Sequence, residues 1–183
     1  MASQAFNRDI MQWENFPNYD LLYTDPPWGN RMVKWFETLE AKDTGVKHEN
    51  SLERILNHLG SLADKNKPMI VEYAVKDWQF VVEVLEKQGH KLYKKVDGIQ
   101  SMGRPFVLLV FNVKYDFKDG LKGAEYPHEA VKDLKPRVVF DPFAGIGFTA
   151  KAVQSAGADY IGSEINGKRF KQLQAVVATR ASV

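Results

Sequence analysis

The chain has 183 residues, enough for one domain with a substantial core and too few for two comfortable ones. Hydrophobic residues make up 44% of the sequence and charged residues 26%, which is the profile of a soluble globular protein. No apolar run approaches the roughly 20 residues of a membrane-spanning helix, and the N-terminal residues lack the apolar core of a signal peptide. We therefore expect a cytoplasmic protein with no membrane partner.

The absence of cysteine excludes disulfide bonds and thiolate metal sites. The four histidines show no spacing typical of metal ligands, so we predict no bound metal. The net charge of +2 is compatible with a nucleic-acid partner but does not indicate one.

Strands that alternate with helices dominate the pattern along the chain. Strands are predicted for the apolar runs at residues 19–24, 69–74, 90–99, 106–113, 138–140 and 160–165. Helices are predicted where apolar residues recur every three to four positions, at residues 32–39, 51–64, 77–88, 128–134, 149–156 and 167–180. This alternation predicts an α/β fold, a mostly parallel sheet with helices on both faces. The two consecutive strands without a helix between them predict an antiparallel pair at one edge.

Three stretches lack a clear pattern. Residues 1–18 mix polar and aromatic side chains, and we expect a short helix or turn that seals one end of the sheet. Residues 41–50 are polar, which predicts a mobile loop of the kind that closes over sites. Residues 114–127 are charged and contain glycine, which predicts an exposed connection.

Asp25, Pro26, Pro27 and Trp28 follow the predicted strand at residues 19–24. Two consecutive prolines end the strand in a rigid turn and hold Asp25 at its carboxyl end, where α/β sheets bind ligands. The Asp25 carboxylate and the Pro26 carbonyl can each accept one hydrogen of an amino group, which frees the nitrogen lone pair to attack a methyl donor. Trp28 offers a flat face on which an aromatic base can stack. The alternative is a plain strand-ending turn with a tryptophan in the core.

A second signal lies far along the chain, where the predicted strand at residues 138–140 ends in an acidic residue and a glycine-rich turn. Gly145 and Gly147 allow the backbone to approach a ligand, and Glu164, 19 residues after Gly145, is placed to receive ribose hydroxyls. The same glycine spacing also fits an enzyme that uses NAD or FAD. That alternative leaves residues 25–28 without a role, and dinucleotide folds usually open with this unit.

Taken together, the segments Asp-Pro-Pro-Trp and Asp-Pro-Phe-Ala-Gly-Ile-Gly make the chain resemble the S-adenosylmethionine-dependent amino-methyltransferases of DNA. The order of the segments, catalytic before cofactor, resembles the circularly permuted class beta of that family. The resemblance covers residues 6 to about 180. It implies a Rossmann-like methyltransferase fold with seven strands, the two segments on adjacent central strands, and a single domain over residues 1–183.

The resemblance also implies roles for individual residues. Asp141 and the turn that follows it would hold the methionine part of S-adenosylmethionine, and Glu164 would hold its ribose. Asp9 stands where the family places an acid that contacts adenine, although Arg8 replaces the usual preceding glycine. The implied cofactor-binding residues are Asp9, Asp141, Pro142, Phe143, Ala144, Gly145, Gly147 and Glu164. The implied catalytic residues are Asp25, Pro26, Pro27 and Trp28.

The implied partner is DNA, with the N6 amino group of adenine as the target, because the cytosine enzymes more often begin the catalytic motif with Ser. Single-stranded DNA and RNA stay open as substrates, and a base in a duplex would have to rotate out of the stack. Basic residues near the paired strands are candidates for phosphate contacts. They are Lys87, His90, Lys91, Lys94, Lys95 and Arg104.

Relatives that read a sequence usually carry a large recognition insert, and here residues 112–128 are a minimal stand-in. This predicts short or relaxed specificity, typical of a phage or mobile-element enzyme, or a partner subunit that supplies recognition. A monomer and a homodimer both stay open. The alternative functions are a cytosine-N4 methyltransferase, an RNA adenine methyltransferase, and a catalytically silent subunit that binds cofactor or nucleic acid.

Overall fold

The computed structural model describes residues 3–45 and 49–179. Its strands are β1 (Gln4–Asn7), β2 (Leu21–Thr24), β3 (Met69–Tyr73), β4 (Leu92–Ile99), β5 (Pro105–Phe111), β6 (Val138–Asp141) and β7 (Asp159–Glu164). Its helices are α1 (Asn30–Thr44), α2 (Leu52–Leu62), α3 (Trp78–Lys87), α4 (Glu125–Leu134), α5 (Phe148–Ser155) and α6 (Gly167–Ala178). A short 3₁₀ helix, Ile10–Gln12, follows β1.

Within the described residues, seven strands form one sheet in the order β1-β7-β6-β2-β3-β5-β4. Strand β5 runs antiparallel to both of its neighbours, and the other neighbouring pairs are parallel. The predicted mostly parallel seven-stranded sheet is confirmed, and the antiparallel hairpin of β4 and β5 lies at one edge as expected. The segments that follow β2 and β6 therefore emerge side by side.

The sheet has a hydrophobic core on each face because its central strands are apolar on both sides. In β2 the side chain of Leu22 packs with α1, α2 and α3, whereas Leu21 and Tyr23 pack with α4, α5 and α6. Successive side chains of a strand point to opposite faces, so a strand covered on both faces reads as a continuous apolar run. This is why the central strands were predictable from composition.

The short helix predicted near the N-terminus is present at Ile10–Gln12. Strand β1, which was not predicted, precedes it. It is four residues long, and its end residues Gln4 and Asn7 are exposed, so its sequence carries no apolar run. Its residues pair with residues 161–164 of β7 at the sheet edge. The partner strand, and not local propensity, determines this strand.

The predicted mobile loop at residues 41–50 is wrong for its first part. Helix α1 continues through Thr44 and ends at Gly45, whose φ of 74° is left-handed and whose N–H donates to the carbonyl of Ala41. Glu40, Ala41 and Lys42 are good helix formers, so a polar composition does not end the helix here. Residues 46–48 lie outside the described residues, and a lid role for this segment stays a prediction.

The connection after β5 is exposed over much of its length, as predicted, but its aromatic side chains pack against the sheet. Tyr115 and Tyr126 are buried. The rings of Tyr115 and Phe117 lie 4.8 Å apart, those of Phe117 and Tyr126 5.3 Å, and those of Tyr126 and Phe106 5.5 Å. Helix α4 begins at Glu125, three residues before the predicted start, because Pro127 is tolerated in a first helical turn.

No helix in the described residues is long and apolar enough to cross a membrane.

Candidate active site

A cavity of about 450 Å³ opens at the carboxyl ends of the parallel strands. Asp25, Pro26, Pro27 and Trp28 line it from the end of β2. Residues 142–146, after β6, line the facing side together with Glu164 of β7. Strands β2 and β6 pair directly, with Leu21 opposite Val139, so the fold brings the two predicted segments into one cavity.

The segment at residues 25–28 adopts a tight turn between β2 and α1. Strand β2 ends at Thr24, and Gly29, with a φ of 92°, precedes the first residue of α1. Within the turn, the indole Nε1–H of Trp28 donates to Asp25 Oδ1 over 2.6 Å. Because Pro26 and Pro27 have no backbone N–H to donate to a neighbouring strand, β2 cannot continue past them. Asp25 lies directly after the end of the strand, where its side chain lines the cavity.

The electrostatic surroundings of Asp25 disfavour its charged form. Its side chain is exposed to the space of the cavity, but protein atoms surround that space. The resulting desolvation raises the pKa of Asp25 well above the ordinary value. The nearby Asp141 carboxylate raises the pKa further, whereas the Trp28 hydrogen bond and the charges of Arg169 and Arg104 lower it. The balance leaves Asp25 able to hold or release a proton close to neutral pH.

Glu72 of β3 is a second carboxyl group beside Asp25 that sequence reasoning missed. It accepts a hydrogen bond of 2.7 Å from Tyr23 Oη. Burial, and then the charge of Asp25, raises the pKa of Glu72 well above its ordinary value. The sequence does contain a signal for this residue, since Glu72 is the lone charged residue in the otherwise apolar strand at residues 69–73. A charged residue at such a position is partly buried and needs a polar partner.

Asp141 is buried, with 1% of its surface exposed, and does not line the cavity. Its Oδ1 accepts from Thr24 Oγ1 at 2.8 Å and from the N–H of Phe143 at 3.0 Å, and its Oδ2 accepts from Tyr160 Oη at 3.1 Å. Burial raises its pKa to about 6, and these hydrogen bonds oppose the rise. The carboxylate ties β2, β6 and β7 together beneath the turn.

The two glycines of the turn have different surroundings. Gly145 lines the cavity with a φ of 57°, and a Cβ there would come within 2.8 Å of Arg169 Nη2. Gly147 has a φ of 94° and faces α6, where a Cβ would lie 3.3 Å from Leu173 and Val176. Gly145 therefore borders the space that a ligand would use, whereas Gly147 allows α5 to start against α6.

Glu164 and Arg169 form the far wall of the cavity. Glu164 Oε1 accepts from the N–H of Asn166 over 2.9 Å, and its Oε2 lies 3.8 Å from Arg169 Nε. Burial raises the pKa of Glu164, and the Asn166 and Arg169 contacts oppose this. The guanidinium of Arg169 also lies 5.0 Å from the ring of Phe36. Arg169 was not predicted, because its helix carries several basic residues that look equally solvated.

Asp9 lines the cavity from the segment after β1. It caps the 3₁₀ helix, since its Oδ1 accepts from the N–H of Met11 over 3.0 Å and its own N–H donates to Gln12 Oε1 over 3.3 Å. Pro142, Phe143 and Ala144 line the cavity as well. The fold thus brings these four predicted residues to one place, and their cofactor role stays a prediction.

The predicted basic cluster is only partly available to phosphates. His90 is 2% exposed, and its Nε2 lies 2.9 Å from the carbonyl oxygen of Gly60, so it is a core residue. Lys94 pairs with Asp116, and Lys95 pairs with Asp97 over 2.5 Å. Arg104 is the member of the cluster that reaches the cavity. In the described part of the chain, no cluster of three carboxylates or histidines is placed to hold a metal ion.

Comparison with known proteins supports the fold. The sequence model of a family described as DNA methylase matches residues 131–175, the region of α4 to α6. No curated protein matches the sequence significantly.

Solved structures match over nearly the whole chain. The crystal structure of M1.HpyAVI superposes with a TM-score of 0.65 at 16% identity, covering 98% of both chains. TTHA0409 from Thermus thermophilus, described as a DNA modification methylase, gives a TM-score of 0.68 at 14% identity, covering 100% of this chain and 97% of its own. The cytosine-N4-specific PvuII DNA methyltransferase gives a TM-score of 0.59 at 10% identity, covering 98% of this chain and 86% of its own. The chain therefore has the α/β methyltransferase fold that its sequence predicted.

Proposed function

We propose that this protein transfers a methyl group from S-adenosylmethionine to the N6 amino group of adenine in DNA. The observation that carries the proposal is the shared cavity, into which Asp25 opens from β2 and the Gly145 turn and Glu164 open from β6 and β7. The matching family is described as DNA methylase, and both M1.HpyAVI and TTHA0409 have been crystallised with S-adenosylmethionine.

The residues at the β6 and β7 side of the cavity fit this cofactor. The cavity volume of about 450 Å³ lies within the range of small-molecule sites. The missing side chain at Gly145 leaves room beside the backbone, which a Cβ would fill. Glu164 offers carboxylate oxygens for ribose hydroxyls, and Asp9 supplies a further acid at the same wall. When bound, the cofactor supplies a methyl group on a positively charged sulfur, which leaves readily.

The residues at the β2 side fit an amino group attached to an aromatic ring. Asp25 and the carbonyl of Pro26 each accept one amino hydrogen, which weakens the conjugation of the nitrogen with the ring. The raised pKa of Asp25 allows the same carboxyl group to take the proton that the methylated nitrogen releases. Glu72 lies near Asp25 and holds its own proton to higher pH because of its burial and the charge of Asp25. The two carboxyl groups therefore favour a state in which they share one proton. Alignment of the reactants supplies much of the rate, roughly 7 to 11 kcal/mol in favourable cases.

DNA is the proposed substrate because the matching family and the superposing structures are described as DNA methylases. Adenine is preferred over cytosine because the catalytic segment begins with Asp25 and not with Ser. An amino group inside the stack of a duplex cannot reach Asp25, so the target base must be extruded from a duplex or presented on a single strand.

The test is to incubate the purified chain with methyl-labelled S-adenosylmethionine and unmethylated DNA, then digest the DNA to nucleosides. Label in N6-methyl-2′-deoxyadenosine is the expected result. RNA and cytosine-rich DNA are run in parallel, so that label in another nucleoside redirects the proposal to that substrate. Asp25→Asn is the inactive variant and Asp119→Asn, an exposed aspartate outside the cavity, is its control. No label in any nucleoside at saturating cofactor contradicts catalysis and supports a silent subunit.

A further inference from the structure

In the half of the cavity formed by the end of β2, where the target base would bind, the protein's side chains contact one another. The guanidinium carbon of Arg104 lies 4.7 Å from the centroid of the Trp28 ring, stacked over it. The indole N–H of the same tryptophan donates to Asp25 Oδ1. Arg104, Trp28 and Asp25 thus form a continuous row, which we call the latch. All three residues line the cavity.

The latch occupies the positions that a substrate base needs. An amino group bound by Asp25 has to share the carboxylate with the indole N–H, which already occupies Oδ1. A base stacked on Trp28 competes with the guanidinium for the ring face that it covers. Binding of the base therefore requires Arg104 to leave Trp28, and this requirement rests on the function proposed above.

Arg104 is held in place by a well-defined hairpin, but its side chain is exposed. The backbone of Arg104 closes the turn between β4 and β5, because its carbonyl accepts a hydrogen bond of 2.8 Å from the N–H of Gln100. The N–H of Gly123 donates to the carbonyl of Ile99 over 2.9 Å and anchors the hairpin from the other side. Met102, at the tip of the turn, is 98% exposed. The hairpin backbone is thus fixed at the mouth of the cavity while its tip projects into solvent.

Arg104 also differs from the other basic residues of the hairpin. Lys94 and Lys95 are paired with Asp116 and Asp97. Among the described residues, no carboxylate lies within salt-bridge distance of the Arg104 guanidinium, which contacts the Trp28 ring and interacts with the charge of Asp25 over a longer distance. A guanidinium binds a phosphate through two parallel charged hydrogen bonds, which are stronger than an exposed cation–π contact.

We propose that Arg104 senses the nucleic-acid strand: its guanidinium moves from the Trp28 ring to a backbone phosphate beside the target base. This transfer uncovers the ring face, so backbone binding and admission of the base are coupled. The hairpin tip of β4 and β5 is then the surface on which the strand lies. A base without a phosphate meets a covered ring, whereas a strand removes the cover as it binds.

The experiment compares two ligands and measures binding without the methyl donor, so that no turnover occurs. One ligand is a short single-stranded DNA that contains adenine, and the other is deoxyadenosine, which has no phosphate. Arg104→Ala is expected to weaken binding of the oligonucleotide about tenfold and to reduce the slope of log Kd against log salt by about one. The same variant is expected to tighten binding of deoxyadenosine about two- to fivefold, because a competing cation–π contact has gone.

Lys94→Ala is the matched control, since it removes a positive charge from the same hairpin without touching Trp28. It is expected to leave deoxyadenosine binding unchanged. Opposite changes for the two ligands in Arg104→Ala are the signature that a merely structural role does not produce. An alanine variant that binds deoxyadenosine no better than the wild type contradicts the latch. A wild-type chain that binds the oligonucleotide but shows no change on Arg104→Ala overturns the latch alone. A wild-type chain that binds neither the oligonucleotide nor, in a separate titration, S-adenosylmethionine overturns the proposed function as well.

Discussion

The two halves of the cavity differ in how firmly their acids are held. Asp141, behind the β6 turn, is buried and has three hydrogen-bond donors from β2, from its own turn and from β7. Asp25, at the end of β2, is open to the cavity and accepts a hydrogen bond from a tryptophan only three residues away. A fully satisfied buried carboxylate fixes a backbone turn, whereas a locally bonded and accessible one can exchange its partner for a ligand. The β6 half is therefore preformed and the β2 half adjustable.

The largest expected effect is on turnover, in the adjustable half. Asp25→Asn removes the negative charge and the basic oxygen that takes up the amino proton but keeps the shape of the side chain, so turnover should fall about 10²- to 10⁴-fold. Affinity for S-adenosylmethionine should stay within about twofold of the wild type, as measured by calorimetric titration. Loss of both together would mean that the two halves do not act separately.

The next effect is on stability, in the preformed half. Asp141→Ala leaves Thr24, Tyr160 and the N–H of Phe143 without their acceptor in the interior. The free energy of unfolding should fall by about 3 kcal/mol. Denaturant unfolding gives the value, and Asp141→Asn, which keeps an acceptor oxygen, should cost less. Equal losses for the two variants would show that packing, and not hydrogen bonding, explains the effect.

The two glycines of the β6 turn separate ligand binding from packing. Gly147→Ala places a Cβ against α6 at an unfavourable φ, so unfolding should become easier by about 2 kcal/mol. Gly157→Ala is the matched control, because its φ is 101° and the space around it is open. Gly145→Ala should destabilise the fold by only about 1 kcal/mol but should displace the Arg169 side chain and weaken cofactor binding. A Gly145→Ala variant with unchanged cofactor affinity would remove this residue from the site.

The smallest effect is on pH dependence and links the two halves. Burial raises the pKa values of Asp25, Glu72 and Asp141 above those of the unfolded chain. The folded state therefore binds protons at these three groups more tightly than the unfolded chain does. The stability that this proton binding contributes is fully present below about pH 4, where carboxyl groups of the unfolded chain titrate. Stability should decline as pH rises through about 6, the pKa of Asp141, and beyond it through the raised values of the Asp25 and Glu72 pair.

Glu72→Gln removes one member of that pair. The decline of unfolding free energy with pH should become shallower, as followed by thermal unfolding across a pH series. Glu72, with a pKa of about 8, ionises after Asp25, whose pKa is about 7, so the variant should remove the change in rate that this second ionisation produces at alkaline pH. Glu83→Gln, on the exposed face of α3, is the control. An unchanged profile in Glu72→Gln would place Glu72 outside the electrostatics of the reaction.

Much of the architecture follows from local patterns. The helix caps at Ser51 and Gly157 and the apolar runs of β2, β3 and β5 are encoded within a few residues, so the elements could be placed without the fold. Strand β1 and the full length of α1 could not. The first depends on a partner strand more than 150 residues away, and the second on residues whose polarity conceals their helix propensity.

The sequence by itself determined the two segments of the candidate site, because prolines and glycines restrict or free the backbone wherever they stand. It also determined that the sheet is mostly parallel with helices on both faces, since strands that are buried on both faces have continuous apolar sequences. Only the tertiary structure decided that Asp141 is enclosed while Asp25 is open, that Arg169 lines the cavity, that Glu72 lies near Asp25, and that Arg104 covers Trp28. These outcomes depend on strand order and on contacts between distant residues, and burial and electrostatic interaction act through distance in space and not along the chain.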